Sequence, residues 1–131
     1  MDKYFQKVKD YILELGYTIS HEEKEEGVLI ISNESEGISN LVLGCAPPIL
    51  IMEQLILELK SESVNILKSL LQKNRDIIHG AFVLDETGKK VIFRDTLQIE
   101  NLDLNEIEGS INSLSLLLSE YSDELIKFSK N

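Results

Sequence analysis

The sequence predicts an α+β fold, an antiparallel sheet with helices in the order α-β-β-β-(β)-α-β-β-α. Three observations carry that prediction. Leu104, Ile107, Ile111, Leu114, Leu118, Tyr121, Leu125 and Phe128 recur at alternating spacings of 3 and 4, one long helical stripe. Before it, GAFVLDETGKKVIFRDTL (Gly80 to Leu97) sets two apolar runs on either side of a glycine-containing turn, the pattern of a hairpin. Near the N-terminus, the β-branched run VLIIS stands between the charged turns EEKEEG and NESEG.

The elements follow in order. Tyr4, Val8, Tyr11 and Leu15 fall at helical spacing with Phe5 and Ile12 beside them, and Gly16 stands where a left-handed cap belongs. This predicts a helix from about Asp2 to Leu15. Tyr17, Ile19 and His21 alternate with polar residues and pair through EEKEEG with VLIIS, and ISNLVLG adds another strand. ILIMEQLILEL, after Pro47-Pro48, is ambiguous: Met52, Leu55 and Leu59 suit a helix, whereas Ile51, Leu55, Leu57 and Leu59 suit a strand interrupted by Glu53. The leading prolines and the isoleucines favour the strand. SESVNILKSLLQKN (Ser61 to Asn74) puts Val64, Leu67, Leu70 and Leu71 on one helical face behind serine caps. In the hairpin, Asp85 and Gly88 hold the positions of a type I turn followed by a left-handed residue. Asp103 is placed to cap a final helix of about 25 residues. Its stripe could serve a coiled coil, but Leu116 and Leu117 widen it toward a helix laid across a sheet.

With 131 residues, 43% of them hydrophobic and 27% charged, the chain is expected to form a single domain over residues 1–131 with its own core. No apolar run reaches the roughly 18 residues of a membrane helix, and MDKYFQKVKD lacks a signal-peptide core, so a cytoplasmic protein without a membrane partner is expected. The lone Cys45 can form no internal disulfide. The net charge of −10 argues against nucleic acid. Residues 1–59 hold 4 basic and 11 acidic side chains (−7), residues 60–97 hold 7 and 5 (+2), and residues 98–131 hold 2 and 7 (−5). A small basic patch around Lys73, Arg75, Lys89, Lys90 and Arg94 is read as part of a mixed solvated surface.

No catalytic constellation emerges. DETGKK lacks the further glycines and following helix of a phosphate loop, and Asp85 with Glu86 lacks a third oxygen donor at calcium-loop spacing. His21 and His79 have no ligand partner at metal spacing. Asp76 near His79 could form an acid/base pair, but a histidine bonded to backbone is the simpler reading. Cys45 reads as a small hydrophobe in a strand. Catalytic residues, metal ligands and cofactor are therefore each expected to be none.

One feature of the hairpin points outward. Phe82-Val83-Leu84 and Val91-Ile92-Phe93 are uninterrupted apolar triplets, so both faces should be covered, one by a helix and the other by a second element, a second subunit or a partner chain.

With LLQKN closing the second helix, GAFVLDETGKKVIFRDTL as the hairpin and LDLNEIEGSINSLSLLLSEYSDELIKF as the last helix, the whole chain resembles the type III secretion chaperone-like superfamily, nearest to its YbjN-like and Tir-chaperone-like members. The resemblance implies a secretion-chaperone-like α+β homodimer that holds a segment of another polypeptide on apolar surface, without catalysis. It places the partner on Tyr4, Val8 and Tyr11 of the first helix and Ile30 and Val42 of the sheet. The dimer contact falls on Leu67, Leu71, Phe82 and Phe93. The alternative is a dimeric structural or regulatory protein of the same fold with no client, and more distantly an enzyme.

Overall fold

The computed structural model describes residues 2–131, and its elements run in the expected order. Helix α1 (Asp2–Glu14) leads into strands β1 (Thr18–Glu23) and β2 (Val28–Asn33), a 3₁₀ turn (Glu34–Glu36), β3 (Ile38–Ala46) and β4 (Ile49–Glu58). Helix α2 (Val64–Asn74), the hairpin β5 (Ala81–Leu84) and β6 (Lys90–Gln98), and helix α3 (Leu104–Lys130) complete the chain.

Side chains start the later helices where the sequence places them. The Ser63 hydroxyl accepts from the Ile66 backbone N–H at 3.3 Å, ahead of α2. Asp103 accepts from the Glu106 N–H at 2.8 Å while Glu106 accepts from the Asp103 N–H at 3.2 Å, a complete capping box at the start of α3. In the hairpin, the Gly88 N–H bonds to the Asp85 carbonyl at 3.0 Å and Gly88 adopts φ 73°. DETGKK is thus built as a turn.

The six strands form one sheet in the order β1-β2-β3-β4-β6-β5, with every neighbouring pair antiparallel. The ambiguous ILIMEQLILEL run is the strand β4, paired along its length with β3 and β6. Glu53, the residue that interrupts its apolar pattern, faces Arg94 across the β4–β6 ladder, and the two side chains meet at 3.1 Å. A register shift between Leu55 and Leu57 inserts Ile56, so Leu55 and Leu57 turn to opposite faces, and only Leu57 is buried.

Alternation decides which face is covered. Leu29, Ile31, Leu41, Leu43, Leu50, Met52 and Phe93 are at most 1% exposed and meet Phe5, Val8 and Ile12 of α1 and Ile107, Ile111 and Leu114 of α3 in one cluster. Ile66 and Leu70 of α2 join it beside Phe82 and Val91. The hairpin therefore has one covered face, formed by Phe82, Val91 and Phe93. Val83 and Ile92 lie on the other, paired across the ladder with Leu55 next to Ile92, and among the described residues no helix supplies the second cover expected there.

Candidate protein-binding surfaces

The uncovered face of the sheet is the first candidate. Strand alternation and register bring Val28 and Ile30 of β2, Val42 of β3, Ile51 and Leu55 of β4, Ile92 of β6 and Val83 of β5 to this side. All are half-buried except Leu55, which is 51% exposed. One cross-strand row reads His21, Ile30, Val42, Glu53, Arg94 and Ala81, so the apolar Ile30 and Val42 stand between an exposed histidine at the β1 edge and an ion pair at the sheet's centre. Both partners of that pair keep over a third of their side-chain surface in water, which leaves it a weak tether. At the β1 end, Glu23 stands on this side beside Val28, 3.1 Å from His21 Nε2, whereas Glu22 pairs with Leu29 and bonds Lys9 of α1 at 3.0 Å on the other side.

A second surface lies at the opposite edge. Leu67, Leu70, Leu71, Phe82, Val83, Leu84 and Val91 line a cavity of about 280 Å³ between α2 and the β5–β6 hairpin. Leu71 is 70% exposed, Val64 72% and Leu84 44%, a cluster of large apolar side chains in water. A third, larger hollow of about 650 Å³ runs between α3 and the 3₁₀ turn, with Ile56, Leu118 and Leu125 among its apolar residues and Ser115, Ser119 and Ser122 along the helix.

These surfaces divide the residues singled out from sequence. Ile30 and Val42 lie side by side on the open face, as pairing partners of β2 and β3. Val8 is 0% exposed beneath the sheet's other face, and Tyr4 and Tyr11 pack half-buried at the margin of the core. The Tyr11 hydroxyl donates to the Leu102 carbonyl at 3.4 Å. Helix α1 and the open face are thus on opposite sides of the sheet. Leu67, Leu71 and Phe82 share the α2–β5 groove, whereas Phe93 is 0% exposed in the core. Ile51, Leu55, Val83 and Ile92 were not singled out. Their signal is the register of β4 against β6, which sequence spacing leaves open.

The titratable groups behave as structural ones. Burial pushes the Cys45 thiol up to about 11, which disfavours a thiolate nucleophile. Burial, with a hydrogen bond from its hydroxyl to Glu36 at 2.8 Å, raises Tyr17. The Thr87 hydroxyl holds Asp85 below its ordinary range by donating to it at 2.7 Å, with the Lys90 and Lys89 N–H groups assisting. His79 lies beside Gly109 of α3, and its backbone carbonyl accepts from Ser113 at 2.8 Å. Among the described residues, no three His, Cys, Asp or Glu side chains converge as a metal site would require, and no helix is long and apolar enough to cross a membrane.

The same arrangement recurs in solved structures. YbjN from E. coli superposes with a TM-score of 0.70 at 13% identity, covering 92% of this chain and 92% of that one. The HopA1–SchA chaperone–effector complex gives 0.62 at 14%, covering 98% and 94%. The Yersinia pestis type III secretion chaperone SycH, in complex with a fragment of YscM2, gives 0.57 at 18%, covering 96% and 99%. At these identities the likeness is one of fold. No curated protein matches the sequence. The family model CesT_Tir_1 matches residues 1–131, and the chain therefore belongs to that family, within the type III secretion chaperone-like superfamily.

Proposed function

We propose that this protein is a non-catalytic, chaperone-like binding module of the cytoplasm that holds a segment of a partner polypeptide on the open face of its sheet. The observation that carries the reading is the apolar surface of Ile30, Val42, Ile51, Leu55 and Ile92, contributed by four strands and covered by no helix among the described residues. Family membership supports it, as does the fold shared with a chaperone bound to its effector. Glu23 at the β1 end of this face and the net charge of −10 suit a basic or amphipathic guest. The same reading assigns the α2–β5 groove, with Leu67, Leu71 and Phe82, to a homodimer contact. Phe93 supports that contact from behind, inside the core.

A dimeric structural or regulatory protein without a client is the second reading. The Glu53–Arg94 pair favours it by meeting the charge needs of the face's centre without a guest. A photo-crosslinking side chain at Val42, with a control at the exposed Leu13 of α1, separates the two in native cytoplasm. Client capture predicts a discrete adduct from Val42 and none from Leu13. No adduct at Val42, or equal adducts at both, would sink the client reading.

A further inference from the structure

Strand β5 is an edge of the sheet, and its backbone pattern says which of its groups look outward. The Asp85 N–H bonds to the Lys90 carbonyl at 3.0 Å, and the ladder pairs Leu84 with Val91, Val83 with Ile92, Phe82 with Phe93 and Ala81 with Arg94. In an antiparallel pair, hydrogen-bonded and non-hydrogen-bonded positions alternate. Counting from the bonded Asp85–Lys90 position, Val83 and Ala81 turn their N–H and C=O groups toward β6, whereas Leu84 and Phe82 turn theirs to the free edge. The outward pair at Phe82 is occupied. The Asn74 side chain, at the end of α2, accepts from the Phe82 N–H at 2.7 Å and donates to the Phe82 carbonyl at 3.1 Å. One amide thus makes the two bonds that a neighbouring strand would make.

This edge is a hazard without that amide. The exposed Leu71 and Leu84 flank it, and apolar surface beside an unpaired strand is the combination that recruits another chain's strand. We propose that Asn74 guards the β5 edge, closing it to strand pairing by a second copy of this chain, so that contacts at the α2–β5 groove are made through side chains alone. With Phe82 occupied, the four-residue strand offers only the outward groups of Leu84, too few to hold a strand in register. The inference is independent of client capture and of the homodimer, because pairing at β5 is an additional association, read as mass beyond that of the parent whatever the parent's own oligomeric state.

The test is the Asn74→Ala variant, followed by light scattering over time and by amide exchange at Phe82, in parallel with the unchanged protein. The expected result is a native circular dichroism spectrum, faster exchange at Phe82 in dilute solution, and a mass that grows with concentration beyond that of the parent. Adding Leu84→Lys, a charge on the same edge, should restore the parent's mass. A native spectrum with the parent's mass overturns the proposal. So does loss of the native spectrum, or growth that Leu84→Lys leaves unchanged, since either makes Asn74 a support of the fold rather than a guard.

Discussion

The Lys73 ammonium of α2 lies 2.8 Å from the Glu124 carboxylate of α3, and the lysine side chain is only 10% exposed. It also donates to Ser69 at 2.8 Å and sits 4.9 Å from the Tyr121 ring centre and 5.6 Å from that of Phe128. The charge is therefore enclosed by two rings, a hydroxyl and a carboxylate, and it ties α2 to the last turns of α3. Lys73→Ala should destabilise the fold by about 1–3 kcal/mol, combining lost stem packing with lost cation–π contact. Glu124→Gln should cost less than about 1 kcal/mol, because Glu124 is half exposed. Denaturant midpoints by circular dichroism compare the two, and a Lys73→Ala variant as stable as the parent would refute the tie.

The two turns of the hairpin region make different demands on glycine. Gly88 has φ 73° with open space around its missing Cβ, so Gly88→Ala should cost only the left-handed strain, about 1 kcal/mol. Gly80 has φ 86°, and a Cβ there would overlap the Phe93 ring, with Cε1 at 2.6 Å and Cζ nearer still. Phe93 is fully buried and has nowhere to retreat. Gly80→Ala should therefore cost about 3 kcal/mol or more. Thermal unfolding of both variants gives the comparison, and equal losses would mean that the Phe93 overlap relaxes.

Much of the fold was legible because it is written in local periodicity. The Asp103 cap, the 3-4 stripe of α3 and the Asp85–Gly88 turn each need only neighbouring residues to be read. The β4 strand was harder, since Met52, Leu55 and Leu59 also fit a helix; its pairing with two partners at the sheet's centre is a long-range fact. The surfaces were read less well for the same reason. In α1, Phe5, Val8 and Ile12 also recur at spacings of 3 and 4, but spacing defines a stripe without saying that the core takes its middle. The open face depends on register between strands up to 41 residues apart, as Glu53 and Arg94 are, and the Asn74–Phe82 contact leaves no mark in composition or period.

Alkaline pH should act on the fold through Cys45 and Tyr17. Burial raises the thiol from its ordinary value near 9 to about 11, and the Tyr17 phenol is raised in the same direction. The unfolded chain then releases its thiol proton at lower pH than the folded one, so its proton count falls first. The stability from this group is complete below about pH 9 and is lost as pH rises toward 11. Chemical denaturation across that interval should show falling stability, less steep in Cys45→Ala. A Cys45 that alkylates as fast in the native protein at pH 8 as in denaturant would contradict the burial.

Two aspartate substitutions, at Val8 and Val42, separate a core residue from a binding residue. Both positions were singled out for partner contact, yet Val8 is 0% exposed between α1 and the sheet while Val42 is half-buried on the open face. Val8→Asp strands a carboxylate among Phe5, Ile12 and the core strands, at a cost of roughly 4 kcal/mol or more, and should abolish the native circular dichroism spectrum. Any loss of binding in that variant reports unfolding. Val42→Asp puts the charge beside water and next to Glu53, its pairing partner in β4, so the fold should survive with a loss near 1 kcal/mol. Binding should suffer instead, because the new charge sits beside Ile30 on the open face and must be stripped of water under any guest. Against a client identified by crosslinking, Val42→Asp should weaken affinity by tenfold or more, equivalent to about 1.4 kcal/mol. Raised salt should mainly slow association, as expected for an apolar contact on a protein of net charge −10. A folded Val42→Asp variant that binds with the parent's affinity would exclude the open face as the client surface.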